Sequence, residues 1–204
     1  MQLDAYEEAF ECFKEAFDIE RDPDIVLYLI EMGNIRLKKD MDIEAEKYLE
    51  EAVNMCKQHY HKNLLSKALY YRGRLYLKQS YFYTAMASLQ EALQIAKEFD
   101  SKERYASIQT LIAYAYMKQG RLDKAVETYM DNIDNLKRLT PCGDYLTITK
   151  DLCYIAYIYI CQDKKEEALN IYCYVLEIRM DVLPKDHADI RELVKIIEYL
   201  AHKK

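Results

Sequence analysis

The densest group of side chains able to do chemistry is the run CKQHYH, where Cys56, His59 and His61 offer one thiol and two imidazoles. Such donors suit zinc, but a closed structural site takes four ligands, and this run supplies three at what reads as a helix end. No metal site is expected there. The six cysteines (Cys12, Cys56, Cys142, Cys153, Cys161 and Cys173) form no paired framework. Nothing in the sequence sets a cation beside Cys153, Cys161 or Cys173 to stabilise a thiolate, so the cysteines read as small apolar fillers in a reducing cytoplasm. No Gly-rich phosphate loop, HExxH, GxSxG or CxxC pair occurs. These absences predict a chain that is not an enzyme and carries no cofactor. With 29 basic and 35 acidic residues, the net charge of −6 disfavours nonspecific attraction to nucleic acid or to anionic membranes.

The elements that must position any site are helical. In LIAYAYMKQGRLDKAVETY (111–129), apolar positions at i, i+3, i+4 and i+7 predict one helix over 105–118 and a second over 122–137, with Gly120 permitting a tight turn between them. Ala113 and Ala125 let the two backbones approach, while Tyr116 and Tyr129 fill the space around them. The arrangement recurs in 29–53, 69–93 and 152–176. One alanine heads each second helix: Ala9, Ala45, Ala85, Ala125 and Ala168, at intervals of 36, 40, 40 and 43. A helical hairpin cannot bury its own apolar face, so periods of this size predict an all-α stacked solenoid.

These residues resemble the tetratricopeptide repeat (TPR), which asks for small residues at positions 8, 20 and 27 of each unit and for leucine or aromatics at 24. Position 8 holds Gly33, Gly73, Ala113 and Ala156, and position 20 holds the five alanines. Position 24 holds Phe13, Leu49, Leu89, Tyr129 and Tyr172; position 27 holds Ala16, Ala52, Ala92, Asn132 and Val175. Two sites depart from the pattern. Arg36 stands where Tyr76, Tyr116 and Tyr159 occupy position 11, and Asn132 is polar where a tight contact is expected. The resemblance implies a right-handed superhelical solenoid of antiparallel hairpins, about ten helices in all. The string ALNIYCYVLEIRMDVLPKDHADI (168–190) is similar to the kinesin light chain subgroup through Pro184, Asp186 and His187, although Ala188 replaces a proline common after that histidine.

Aligned on these positions, 1–204 reads as a single solenoid: a half repeat over 1–20, repeats over 24–59, 64–99, 104–138 and 145–181, and a capping helix over 187–202. Pro141 and Gly143 in LTPCGD mark the clearest break, with Asp144 able to cap the helix that follows, as Asp100 or Ser101 can before repeat 104–138. The half repeat, with Phe10, Phe13 and Phe17, is expected to belong to a longer protein or to be covered by self-association. The final helix carries Ile190, Leu193, Val194, Ile197 and Leu200 along one face. No apolar run approaches the ~20 residues that span a bilayer.

In the resembling family, first-helix positions 2, 5, 9, 12 and 13 line a concave groove. Carried over, they imply a partner site of Asn34, Lys38, Lys67, Tyr70, Arg74, Lys78, Tyr114, Lys118, Lys150 and Tyr157. Lysine and arginine supply charge and tyrosine supplies stiff contact area, so the expected partner is an acidic protein or peptide. The carboxylate clamp by which some TPR domains hold chaperone tails is not matched, because Ile30, Tyr71, Ser107 and Leu111 fall on its Lys, Asn and Arg positions. The expected function is a noncatalytic scaffold or adaptor. The alternatives are a peptide-sensing regulator whose superhelix shifts on binding, or a recruiting segment of an enzyme.

Overall fold

The computed structural model describes residues 23–59, 61–99, 101–139 and 145–202. Among them are nine α-helices and no strand: α1 Pro23–Lys38, α2 Asp42–Gln58, α3 Lys62–Lys78, α4 Phe82–Glu98, α5 Lys102–Lys118, α6 Leu122–Leu139, α7 Tyr145–Cys161, α8 Lys165–Val182 and α9 Ala188–His202. The chain is an all-α helical solenoid. The half repeat over 1–20, with Ala9 and its three phenylalanines, lies outside the described residues, as do Asp100 and the LTPCGD break from Thr140 to Asp144.

Each hairpin turns by one device. The residue at the apex takes the left-handed conformation: Asp40 at φ 60°, Ser80 at 65°, Gly120 at 75° and Asp163 at 60°. One residue later the amide reaches back five positions, so that Met41 donates to the Arg36 carbonyl, Tyr81 to Tyr76, Arg121 to Tyr116 and Lys164 to Tyr159. This is the bonding of a Schellman cap, which satisfies carbonyls that the helix end would otherwise leave open. The side chains of the same pairs also meet. Tyr76 and Tyr81 pack edge to face, the Arg121 guanidinium lies 4.8 Å from the centre of the Tyr116 ring, and the Lys164 ammonium lies 5.4 Å from that of Tyr159. Arg36 fits this scheme with the roles exchanged. It is the cation at the aromatic position, its Nη1 is 3.9 Å from Met41 Sδ, and its Nε is 2.9 Å from the Glu44 carboxylate.

Two compact units divide within α5, Met1–Leu111 and Ile112–Lys204. In the first, α1 packs on α2, α3 on α4, and α2 on α3. Its core holds Val26, Leu29, Ile30, Leu49, Leu69, Leu75 and Leu89, all almost fully excluded from water. The small residue at position 8 has a direct cause here: a Cβ on Gly33 would stand 2.6 Å from Leu49 Cγ, and one on Gly73 would stand 2.6 Å from Leu89 Cδ2. Leucine therefore sits where a side chain on the facing helix would be.

In the second unit α7 packs on α6 and α8, and α9 packs on α8. Tyr129, Ile155, Ile158 and Val175 are buried. Asn132, the polar departure at position 27, is also buried and donates through Nδ2 to Asp151 Oδ2 at 2.8 Å, so one helix supplies what the next requires. Helix α9, expected from the sequence to be a capping helix, buries Ile190, Leu193 and Leu200 but leaves Val194 exposed, so its covered stripe is narrower than the sequence suggested.

Candidate functional site

Four of the ten carried-over residues come together in the second unit. Tyr114 and Lys118 from α5, and Lys150 and Tyr157 from α7, line a cavity of about 460 Å³ that is completed by α8 and α9. Spacing on the helices explains the grouping. Tyr114 and Lys118 are four apart, as Lys150 and Tyr154 are, so each pair shares one face. The Lys118 ammonium lies 5.3 Å from the centre of the Tyr114 ring. Tyr114 meets Tyr154 at 5.5 Å, and Tyr154 stacks on buried Tyr129 at 5.4 Å with the planes 14° apart, which fixes the aromatic wall from behind. Among the described residues neither Lys118 nor Lys150 forms an ion pair.

Helices α8 and α9 contribute what the first-helix pattern missed. Arg179 from α8 reaches into the cavity with its side chain only 13% exposed. Its Nε donates to Thr149 Oγ1 at 3.3 Å, and its Nη1 stands 3.4 Å from Asp189 Oδ2. Asp189, Glu192, Leu193 and Ile196 of α9 form the opposite wall. Cys153 lines the same cavity. Burial pushes its thiol up to about 11, with the Arg179 charge acting against that rise and Asp189 and Glu192 adding to it. Burial likewise holds the Tyr172 phenol up at about 12.

The other six residues lie in the first unit. Lys67 and Tyr70 line a smaller cavity of about 280 Å³ with Tyr71, Arg104 and Ser107. Lys67 is already paired with Glu31 at 2.6 Å, and Lys78 is held by Asp40 at 2.7 Å and Asp42 at 2.5 Å. Arg74 lies 5.6 Å from the centre of the Tyr71 ring and 6.0 Å from that of Tyr70. Asn34 is buried, while Lys38 is exposed. The expected groove lysines are thus divided: Lys67 and Lys78 are neutralised by neighbouring carboxylates, and Lys118 and Lys150 are not.

The cysteines are not uniformly filler. Cys56 is buried, with its thiol pushed up to about 11 by burial, whereas Cys161 and Cys173 are exposed. The His59 and His61 rings stand 6.3 Å apart, and among the described residues no group of three or more His, Cys, Asp or Glu side chains is disposed to hold a metal.

Residues 106–131 match the family described as the tetratricopeptide repeat. No curated protein matches the chain in sequence. Solved structures share the fold at low identity. BtubC (BKLC) from P. vanneervenii superposes with a TM-score of 0.78 at 18% identity, over 98% of this chain and 81% of that one. A putative kinesin light chain from Podosopora anserina, with nearly identical TPR-like repeats, gives 0.65 at 16% identity, over 89% and 97%. Aspartyl phosphate phosphatase F from Bacillus subtilis gives 0.73 at 12% identity, over 87% and 44%.

Proposed function

We propose that this chain, of the tetratricopeptide-repeat kind with repeats similar to those of kinesin light chains, is a noncatalytic protein-interaction module that takes a short acidic peptide segment in the cavity of its second unit. One observation carries this reading: Lys118 and Lys150, neither ion-paired among the described residues, open into one cavity beside Tyr114, Tyr154 and Tyr157. A volume of 460 Å³ falls within the range that holds small ligands, and it suits two or three side chains rather than a folded surface. Tyrosine rings supply stiff amphipathic contact, and the lysines supply charge that is not taken up in an ion pair among the described residues. No described helix is long and apolar enough to cross a membrane. The free cysteines suit a reducing compartment such as the cytoplasm.

The test is selection of a random heptapeptide display library on the intact protein and on the Lys118→Glu, Lys150→Glu double variant, with equal helicity confirmed by circular dichroism. The wild type is expected to enrich peptides bearing Asp or Glu, and the double variant to lose them by about 1–3 kcal/mol. Binding should weaken as salt rises, because the attraction is screened over about 8–10 Å. Enrichment of no peptide, or equal retention by the double variant, contradicts the proposal.

A further inference from the structure

The cavity holds an anion of its own. Asp189, in the first turn of α9, faces Arg179 at 3.4 Å, longer than the ~2.7–2.9 Å of a well-formed charge-assisted hydrogen bond. The guanidinium has five N–H donors, and among the described residues its polar partners are Thr149 and Asp189. The two ends of this ion pair differ in surroundings: Arg179 is largely covered, while Asp189 is 46% exposed and shares the turn with His187, whose Nδ1 lies 3.6 Å away. A covered cation loosely engaged by a more exposed carboxylate can change partners, since the outgoing carboxylate regains water while the incoming one takes up the unused donors. Beside this pair stand Lys118 and Lys150 on one wall and Glu192 on the other, so the cavity carries three cations and two anions. A single additional carboxylate balances it.

We propose that a carboxylate of the bound segment takes the Arg179 guanidinium from Asp189, so that the first turn of α9 is a built-in competitor for the groove. The inference rests on the groove reading above and adds its regulation: apparent affinity is set by how firmly Asp189 holds Arg179. The segment it fits carries one acidic side chain beside an apolar one, the carboxylate at Arg179 and the apolar group against Leu193 and Ile196, which line the same wall.

The test uses the full chain and the same heptapeptide library, selected on the wild type, Asp189→Asn, Arg179→Gln and Arg179→Lys. Asp189→Asn removes the competitor's charge with little change in shape. It should bind the peptides enriched by the wild type at least ~5-fold more tightly, the low end of coupling between competing interactions. Arg179→Gln should bind the acidic peptides at least ~5-fold more weakly, with the remaining preference owed to Lys118 and Lys150. Arg179→Lys keeps the charge without the fork, so it should keep the preference at reduced affinity, and it serves if Arg179→Gln fails to fold. Unchanged affinity in Asp189→Asn, or undiminished affinity for the acidic peptides in Arg179→Gln, overturns the exchange while leaving the groove standing. Failure of the groove reading looks different, because then either no variant enriches any peptide or the Lys118→Glu, Lys150→Glu double variant retains them equally.

Discussion

Asn132 donates a hydrogen bond to Asp151 across 2.8 Å, with both side chains wholly removed from water. This contact joins α6 to α7, so it links one repeat to the next through polar atoms where the other repeats use alanine or valine. Removing the donor takes one partner from a buried carboxylate. Asn132→Ala is therefore expected to lower the unfolding free energy by about 3 kcal/mol, measured by urea denaturation, with Ala92→Ser as a milder change at the equivalent position. A loss below ~1 kcal/mol would mean that water replaces the amide.

Gly73 offers a test of close packing. Helix propensity alone favours alanine over glycine by about 1 kcal/mol, but the new Cβ would stand 2.6 Å from Leu89 Cδ2, and Leu89 has no exposed surface into which to move. Overpacking of this kind costs about 1–3 kcal/mol, so Gly73→Ala should be net destabilising in thermal unfolding. Adding Leu89→Ala should then cost less in the Gly73→Ala background than in the wild type, which a double-mutant cycle reads directly.

The hairpin apices allow opposite predictions from one conformation. Ser80, at φ 65°, bears the left-handed strain of a residue with a Cβ, and Gly120, at φ 75°, does not. Ser80→Gly should stabilise by about 0.5 kcal/mol after the extra entropy of unfolded glycine is offset, and Gly120→Ala should destabilise by about 1 kcal/mol. The second change meets no neighbour within 4 Å, so any loss there is conformational.

Alkaline conditions should weaken the fold. Burial raises the Cys56 and Cys153 thiols from 9.0 to about 11 and the Tyr172 phenol from 10.0 to about 12. In each case the unfolded chain releases its proton first, so their contribution is complete below pH ~9 and is lost as pH rises through the folded values. Denaturation midpoints should fall from pH ~9 upward. At pH ~8, iodoacetamide should label Cys161 and Cys173, which are exposed, well before Cys56 and Cys153, as read by peptide mass spectrometry.

Much of the fold was legible because a small residue every ~40 positions can mean only that backbones meet there, and Ala45, Ala85, Ala125 and Ala168 are all fully buried. Turn chemistry was half legible. Glycine drew attention to 120, while Asp40, Ser80 and Asp163 occupy the same conformation without the residue type that announces it. Asn132 stood out as a departure, but its partner Asp151 lies nineteen residues on, and a buried polar pair across two helices has no short-range pattern. At the cavity, Tyr114, Lys118, Lys150 and Tyr157 follow from first-helix positions. Arg179, Asp189 and Glu192 do not, because they come from α8, the second helix of its hairpin, and from α9. A signal for the latter was present: on a helix placed against the last repeat, Asp189, Glu192, Leu193 and Ile196 fall on one face by their i, i+3, i+4 spacing.

The proposed interaction site is tested most directly by tyrosine ring shifts. With side-chain ¹³C-labelled tyrosine in the intact protein, titration of an enriched acidic heptapeptide should move the resonances of Tyr114, Tyr154, Tyr157 and Tyr172, which line the cavity. Those of Tyr81 and Tyr83, exposed at the hairpin-turn edge of the first unit, should stay in place. Shifts confined to Tyr81 and Tyr83, with the cavity tyrosines unmoved, would contradict the account.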